Sequence, residues 1–153
     1  MSTYTATVRW ARSGDGDFTK GQYSRAHECA FDGGHVMPAS ASPHIVPAPW
    51  SDAGGVDPEE AFVASLSSCH MLFFLDYARR DGWTIDSYVD EAIGIMEADS
   101  RGKMAVTKVT LRPRIAWGGD AQPTYEQIAH LHHRSHDDCF IANSVKTEVA
   151  IEQ

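Results

Sequence analysis

The sequence predicts an α+β fold, and three observations carry that reading. Short runs near both ends of the chain read as strands, and the first of them alternates with the strand period. A long apolar run near the middle is bounded by helix caps. After it come two extended runs separated by a turn tetrapeptide, the pattern of a long hairpin.

The first element is Tyr4 to Arg12, which alternates and reads as a strand with Tyr4, Ala6, Val8 and Trp10 or Ala11 as inward positions. Ser13-Gly14-Asp15-Gly16-Asp17 is a turn signal. Gln22 to Phe31 reads as a second strand, Asp32-Gly33-Gly34 as a tight turn, and His35 to Ala39 as a third strand. Ser40 to Gly55 is rich in Pro, Ser and Gly and predicts an irregular loop. Long ordered loops in compact domains are often functional.

Asp57 opens the strongest helix. It is a good N-cap, Pro58 suits the first helical position, and Glu60 completes a capping box. Arg79 and Arg80 complement the negative C-terminal end, and Gly82 stops the helix. Phe62, Val63, Leu66, Met71, Leu72, Phe73, Phe74 and Leu75 cover most of its circumference. Such a helix must be covered on nearly all sides, which one small sheet cannot do, so a second subunit is expected to supply the rest.

Ile85 to Ala98 and Met104 to Trp117 then form the hairpin around Asp99-Ser100-Arg101-Gly102. Pro123-Thr124 begins a second helix, with Thr124 and Gln127 in capping-box spacing, that runs to about Ser135. A short helical segment near Cys139 and a strand over Lys146 to Glu152 complete the chain.

At 153 residues the chain is expected to be one domain, residues 1–153. Its apolar fraction of 42% and charged fraction of 22% are those of a globular protein. The net charge of −8 disfavours phosphate backbones and anionic lipids as partners. Met1 to Arg12 has no secretory pattern, and the run Ala61 to Leu75 is short for a membrane span. The expected compartment is the cytoplasm. Three cysteines at wide spacing, Cys29, Cys69 and Cys139, make a poor disulfide framework, so each is a buried small hydrophobe or chemically used.

Cys69 lies in Ser67-Ser68-Cys69-His70, and Cys139 follows Asp137-Asp138. Either could be a packed thiol. As a redox pair, one would become a sulfenic acid and the other would condense with it to a disulfide. The acidic neighbours of Cys139 would disfavour its thiolate, which suits the resolving partner. Glu59 sits in the first turn, about three turns from Cys69, and is too far along one helix to be a simple neighbour. His70 could tune Cys69 or simply pack. His130, His132, His133 and His136 cluster before Cys139, and His132 and His136 have the i, i+4 spacing that zinc sites use, although no close cysteine pair or acidic motif accompanies them. His27 and Cys29 alternate on one strand and are a weaker redox or metal candidate. Trp10, Trp50, Trp83 and Trp117 are scattered and read as core or interface anchors.

Val56-Asp57-Pro58-Glu59-Glu60-Ala61-Phe62-Val63-Ala64-Ser65-Leu66-Ser67-Ser68-Cys69-His70 resembles the OsmC/Ohr family of hydroperoxide-reducing proteins, as does Asp138-Cys139-Phe140-Ile141-Ala142-Asn143-Ser144-Val145-Lys146. The likeness covers most of the chain from Asp57 onward. It implies an OsmC-like fold with antiparallel sheets around a long buried central helix, in an intertwined homodimer with its sites at the interface. It implies a cysteine-based peroxidase acting on organic hydroperoxides or hydrogen peroxide, with Cys69 peroxidatic, Cys139 resolving and an external dithiol as reductant. No cofactor or metal is implied. Glu59 matches the carboxylate that orients a family arginine. The segment from His44 to Val56 has no Arg or Lys, and the nearest arginines are Arg25, Arg12 and Arg9. Arg25 is taken as the cation because its strand could reach the cleft, with His44 and His70 as substitutes. The alternative function is a non-peroxidatic OsmC-like protein that binds a small apolar ligand or a metal at the same cleft.

Overall fold

The structure is a computed structural model that describes residues 1–153. It has eight strands and two α-helices, in the order β1 (Ala6–Arg9), β2 (His27–Phe31), β3 (Val36–Ala39), α1 (Pro58–Arg80), β4 (Thr84–Asp90), β5 (Ile93–Ala98), β6 (Met104–Leu111), β7 (Pro113–Gly118), α2 (Tyr125–Asp138) and β8 (Glu148–Ile151). The backbone divides into two compact units, Met1–Ala61 and Phe62–Gln153.

In the first unit β1, β2 and β3 form an antiparallel sheet in which Val8 faces Cys29 and Cys29 faces Met37. Two expectations fail here. β2 begins at His27, so Gln22 to Ala26 enters the sheet without pairing, and Phe18–Lys20 is a short 3₁₀ turn capped by Asp17. The inward positions of the first strand are exposed as well: Tyr4 is 89% and Val8 64% accessible. The alternation is real, but no second layer of this unit covers it.

α1 starts as the sequence requires. The Glu60 N–H donates to Asp57 Oδ1 at 2.7 Å and the Asp57 N–H donates to Glu60 Oε2 at 3.1 Å. Gly82, at φ +84°, ends it in the left-handed region that glycine tolerates. At 23 residues the helix is longer than its apolar run and is long and apolar enough to span a membrane by length and composition. In the second unit, however, its stripe of Leu66, His70, Phe74 and Ala78 is packed in the manner of a core helix.

That stripe serves two cores. Leu66 packs with Val109 and Leu111, and Phe74 and Ala78 pack with Leu131. His70 lies between them on the same face. The rest of the circumference is only half-covered, and Leu72 is 60% accessible.

The hairpin forms, but it is broken in mid-arm into two sheets. β4 pairs with β7, whereas β5 pairs with β6, and β8 joins β6 in parallel. Asp90 fixes the break: its Oδ1 accepts the Arg112 N–H at 2.6 Å and its Oδ2 accepts the Ser67 hydroxyl at 2.5 Å. One carboxylate therefore ties both arms to α1. α2 begins at the expected capping box on Thr124 and extends three residues past Ser135, to Asp138.

Candidate active site

Cys69 and Cys139 both lie in the second unit, and the fold brings them together. Cys69 is half-buried on α1, one residue before the core stripe member His70. Cys139 is the C-cap of α2, with its own N–H donating to His136 O at 3.3 Å. The chain after Cys139 wraps back on it. The Asn143 N–H donates to Cys139 O at 3.0 Å, Asn143 Nδ2 donates to the same oxygen at 3.1 Å, and the Ala142 N–H points at Cys139 Sγ at 3.4 Å. Both thiols are free, and Cys69 is near enough to Cys139 to act on its thiol.

Cys139 is 1% accessible, and its thiol is pushed up to about 11. Burial is the main cause. The Ala142 N–H works against it by favouring the thiolate, and nearby Cys69 adds to the rise. The sequence attributes this direction to Asp137 and Asp138, which is a correction. Asp138 accepts the Tyr77 hydroxyl and Asp137 pairs with His133 at 3.2 Å, so both carboxylates have other partners.

The histidine cluster does not act as a unit. His130 and His133 are exposed. His132 is buried and shares a hydrogen bond with His70, Nδ1 to Nε2 at 2.9 Å. No three His, Cys, Asp or Glu side chains converge where they could hold a metal ion, so the i, i+4 spacing of His132 and His136 does not build a metal site. Burial holds both imidazoles down at about 4, and for His70 the charges of His132 and His136 add to it while Asp90 opposes it. Both rings are therefore neutral near pH 7. Two buried nitrogens, His70 Nδ1 and His136 Nδ1, have no partner.

In the first unit Glu59 is half-buried, and its Oε2 is buried without a partner. Arg25 lies before β2 rather than on it. Its Nη1 donates to Gly21 O at 2.7 Å and Tyr23 O at 2.6 Å, and its guanidinium sits 3.6 Å from the centre of the Tyr23 ring. Arg25 forms no ion pair with Glu59 or any other carboxylate. His44 is exposed, with its N–H on Ser42 Oγ at 3.2 Å. Cys29 is half-buried in the sheet, and the neighbouring His27 ring bonds to Arg25 O through Nδ1 at 2.7 Å. Sequence reasoning missed Asp90, Ser67 and the His70–His132 pair.

Residues 51–153 match the family model for OsmC-like protein. The chain belongs to the OsmC-like family. Among solved structures, an OsmC-like protein of unknown function from Vibrio cholerae is 53% identical over 99% of each chain, with a TM-score of 0.97. The organic hydroperoxide resistance protein OhrB of Bacillus subtilis is 20% identical, over 99% of this chain and 97% of its own, with a TM-score of 0.68. An organic hydroperoxide resistance protein from Elizabethkingia anophelis is 17% identical, over 99% of this chain and 93% of its own, with a TM-score of 0.71. At those identities the last two share the OsmC-like fold with this chain. No curated protein matches the sequence.

Proposed function

We propose that this OsmC-like protein is a cysteine-based peroxidase that reduces hydroperoxides through Cys69 and resolves through Cys139. The observation that carries the reading is that the fold makes neighbours of two free thiols, one on α1 and one capping α2. The names of the structural neighbours OhrB of Bacillus subtilis and its Elizabethkingia anophelis counterpart support peroxide as the substrate class.

The roles follow from environment. Cys139 is almost inaccessible and holds its proton at neutral pH, so it is a poor first nucleophile. Cys69 is half-buried and so is the thiol that a small substrate can reach. Its thiolate attacks one peroxide oxygen, the O–O bond breaks, and the alkoxide leaves as an alcohol after taking up a proton. Cys69 is left as a sulfenic acid. Cys139 gives up its proton and attacks the Cys69 sulfur, water departs, and a disulfide forms. An external dithiol returns the two electrons and becomes a disulfide itself. A reducing compartment such as the cytoplasm supplies such dithiols.

Glu59 and Arg25 supply the first unit's polar groups to the proposal. Glu59 offers a buried oxygen with no donor, and Arg25 a guanidinium with no carboxylate. If they assist the thiolate, Glu59→Gln and Arg25→Met each slow peroxide consumption by about tenfold, or about 1.4 kcal/mol of barrier. Unchanged rates in both strike them from the reaction and leave the two-cysteine chemistry standing.

The test is peroxide consumption by purified reduced protein, with peptide mapping after mild oxidation. The expected product is a Cys69–Cys139 disulfide, with consumption lost in Cys69→Ser. A dominant bridge to Cys29, or no peroxide consumption, overturns the proposal.

A further inference from the structure

The second unit buries imidazoles beside its thiols, and the two-thiol chemistry as written does not use them. His70 follows Cys69 on α1, and His132 and His136 occupy the last two turns of α2 before Cys139. His70 and His132 are 1% and 3% accessible, and their rings lie nearly parallel with His70 Nε2 and His132 Nδ1 2.9 Å apart. A neutral imidazole has one N–H and one lone pair, so in this bond one ring donates and the other accepts. Two further nitrogens, His70 Nδ1 and His136 Nδ1, are buried without a partner. Buried polar atoms of this kind are ordinarily met by internal water. A packing role needs none of these nitrogens.

The other titratable groups nearby are already engaged. Asp90 on β4 acts on His70 by its charge, but its two oxygens accept the Arg112 N–H and the Ser67 hydroxyl. Tyr88, also on β4, packs on the Phe74 ring as His132 does, and burial holds its hydroxyl proton more tightly than usual. On α2, Asp137 pairs with His133 and Asp138 accepts the Tyr77 hydroxyl. No free carboxylate therefore stands by to take a proton from Cys139.

The resolving step has a proton to move. Cys139 must lose one as its sulfur attacks, and the oxygen on Cys69 must gain one to leave as water. Cys139 is 1% accessible, so bulk solvent is badly placed to collect it. Resting on the two-thiol reading above, we infer that His136, His132 and His70 form a proton relay that carries the Cys139 proton to the sulfenic oxygen of Cys69. The relay accepts at a lone pair on its α2 side and gives up an N–H proton on its α1 side, with internal water joining rings that do not meet. The S–S bond forms, the S–O bond breaks, water departs, and each imidazole ends neutral in its other tautomer. The low pKa values of His70 and His132, about 4, suit this role: both rings stay neutral and keep a donor and an acceptor near pH 7.

Single-turnover quench-flow of the reduced full-length protein with one equivalent of cumene hydroperoxide separates the two steps. Dimedone traps the Cys69 sulfenic acid, and mass spectrometry counts the disulfide. In the wild type the disulfide step is expected to be flat between about pH 5.5 and 8 and to slow at least about twofold in deuterium oxide. A rate that rises about tenfold per pH unit means that Cys139 ionises to solvent first, and it overturns the inference, as does the lack of an isotope effect. These wild-type measurements decide the matter even if a variant does not fold. His136→Ala, at a half-buried position, is expected to slow the disulfide step at least about tenfold while sulfenic acid still forms. Added imidazole restores that step, whereas 1-methylimidazole, of similar shape but without an N–H, does not. Rescue by both alike shows that only packing was lost and overturns the relay, as does an unchanged disulfide step. Absence of sulfenic acid in the wild type removes the peroxidase reading and the relay together. Sulfenic acid that forms and resolves without the histidines removes the relay alone.

Discussion

At the scale of single residues, burial decides the chemistry of this chain more than neighbouring charge does. Cys139 keeps its proton because it is 1% accessible, whereas the carboxylates beside it in sequence have other partners. In the native reduced protein at neutral pH, iodoacetamide is therefore expected to label Cys69 and spare Cys139 until the chain is unfolded. Equal labelling of both thiols, followed by mass spectrometry, would remove the ground for assigning their roles. The buried imidazoles give a second consequence. His70 and His132 hold pKa values near 4 when folded and near the ordinary 6.5 when unfolded. The unfolded chain thus binds more protons below neutrality. Stability is full above about pH 6.5 and declines as pH falls toward 4, by an amount on the order of 3 kcal/mol for each imidazole. Urea unfolding at several pH values should show this slope in the wild type and a flatter one in the double variant His70→Asn, His132→Asn. Parallel slopes would show that the pair is not responsible. Neither residue's role was legible in the sequence, because they are distant in the chain and only packing makes them partners.

At the scale of elements, the readable features were those written in local chemistry. The Asp57–Glu60 and Thr124–Gln127 capping boxes form where the residues place them, since a cap depends on a few consecutive residues. Thr124→Ala is expected to cost about 1 kcal/mol of stability in denaturant titration, with the thiol reactivities unchanged. A loss within error of zero would mean that the cap is redundant. The splitting of the hairpin was not readable, because it depends on Asp90 reaching both Arg112 and Ser67 across the fold. Gly94 belongs to the same class. A Cβ there would lie 2.6 Å from Val63 Cγ2 and 3.3 Å from Val106 Cγ1, so β5 can approach α1 only with glycine at that point. Val63 is β-branched and has little freedom to turn aside. Gly94→Ala should therefore lower stability by about 1–3 kcal/mol, although alanine is ordinarily the easier residue in a strand. An unchanged unfolding midpoint would show that α1 can shift to make room.

At the scale of the molecule, the likeness to OsmC-like proteins was strongest where the residues were most constrained. The family model begins at residue 51, close to the helix cap from which the resemblance was read. The first-strand residues expected inward, Tyr4 and Val8, remain exposed. The second unit carries the same signature. Leu72, Ile95, Met104 and Phe140 are 60%, 45%, 67% and 70% accessible, and β5 exposes every residue along its length. Isolated exposed apolar residues are ordinary, but β5 exposes Ile93, Ile95 and Met96 in series and α1 leaves Leu72 open among half-buried apolar neighbours, which is what a face destined for burial shows. We therefore expect an obligate homodimer in solution, with an interface of the divided-core type, about 2,000 Å² or larger. Light scattering on dilute wild-type protein should return twice the chain mass at low micromolar concentration. Leu72→Glu separates the possibilities. On a free monomer surface that change is worth only about 0.5 kcal/mol, whereas in a dimer core it buries an unpaired charge and should split the assembly or unfold it. A Leu72→Glu protein that stays folded, with an unchanged melting temperature and the same mass as the wild type, would show that α1 faces solvent there and that its apolar circumference has no partner.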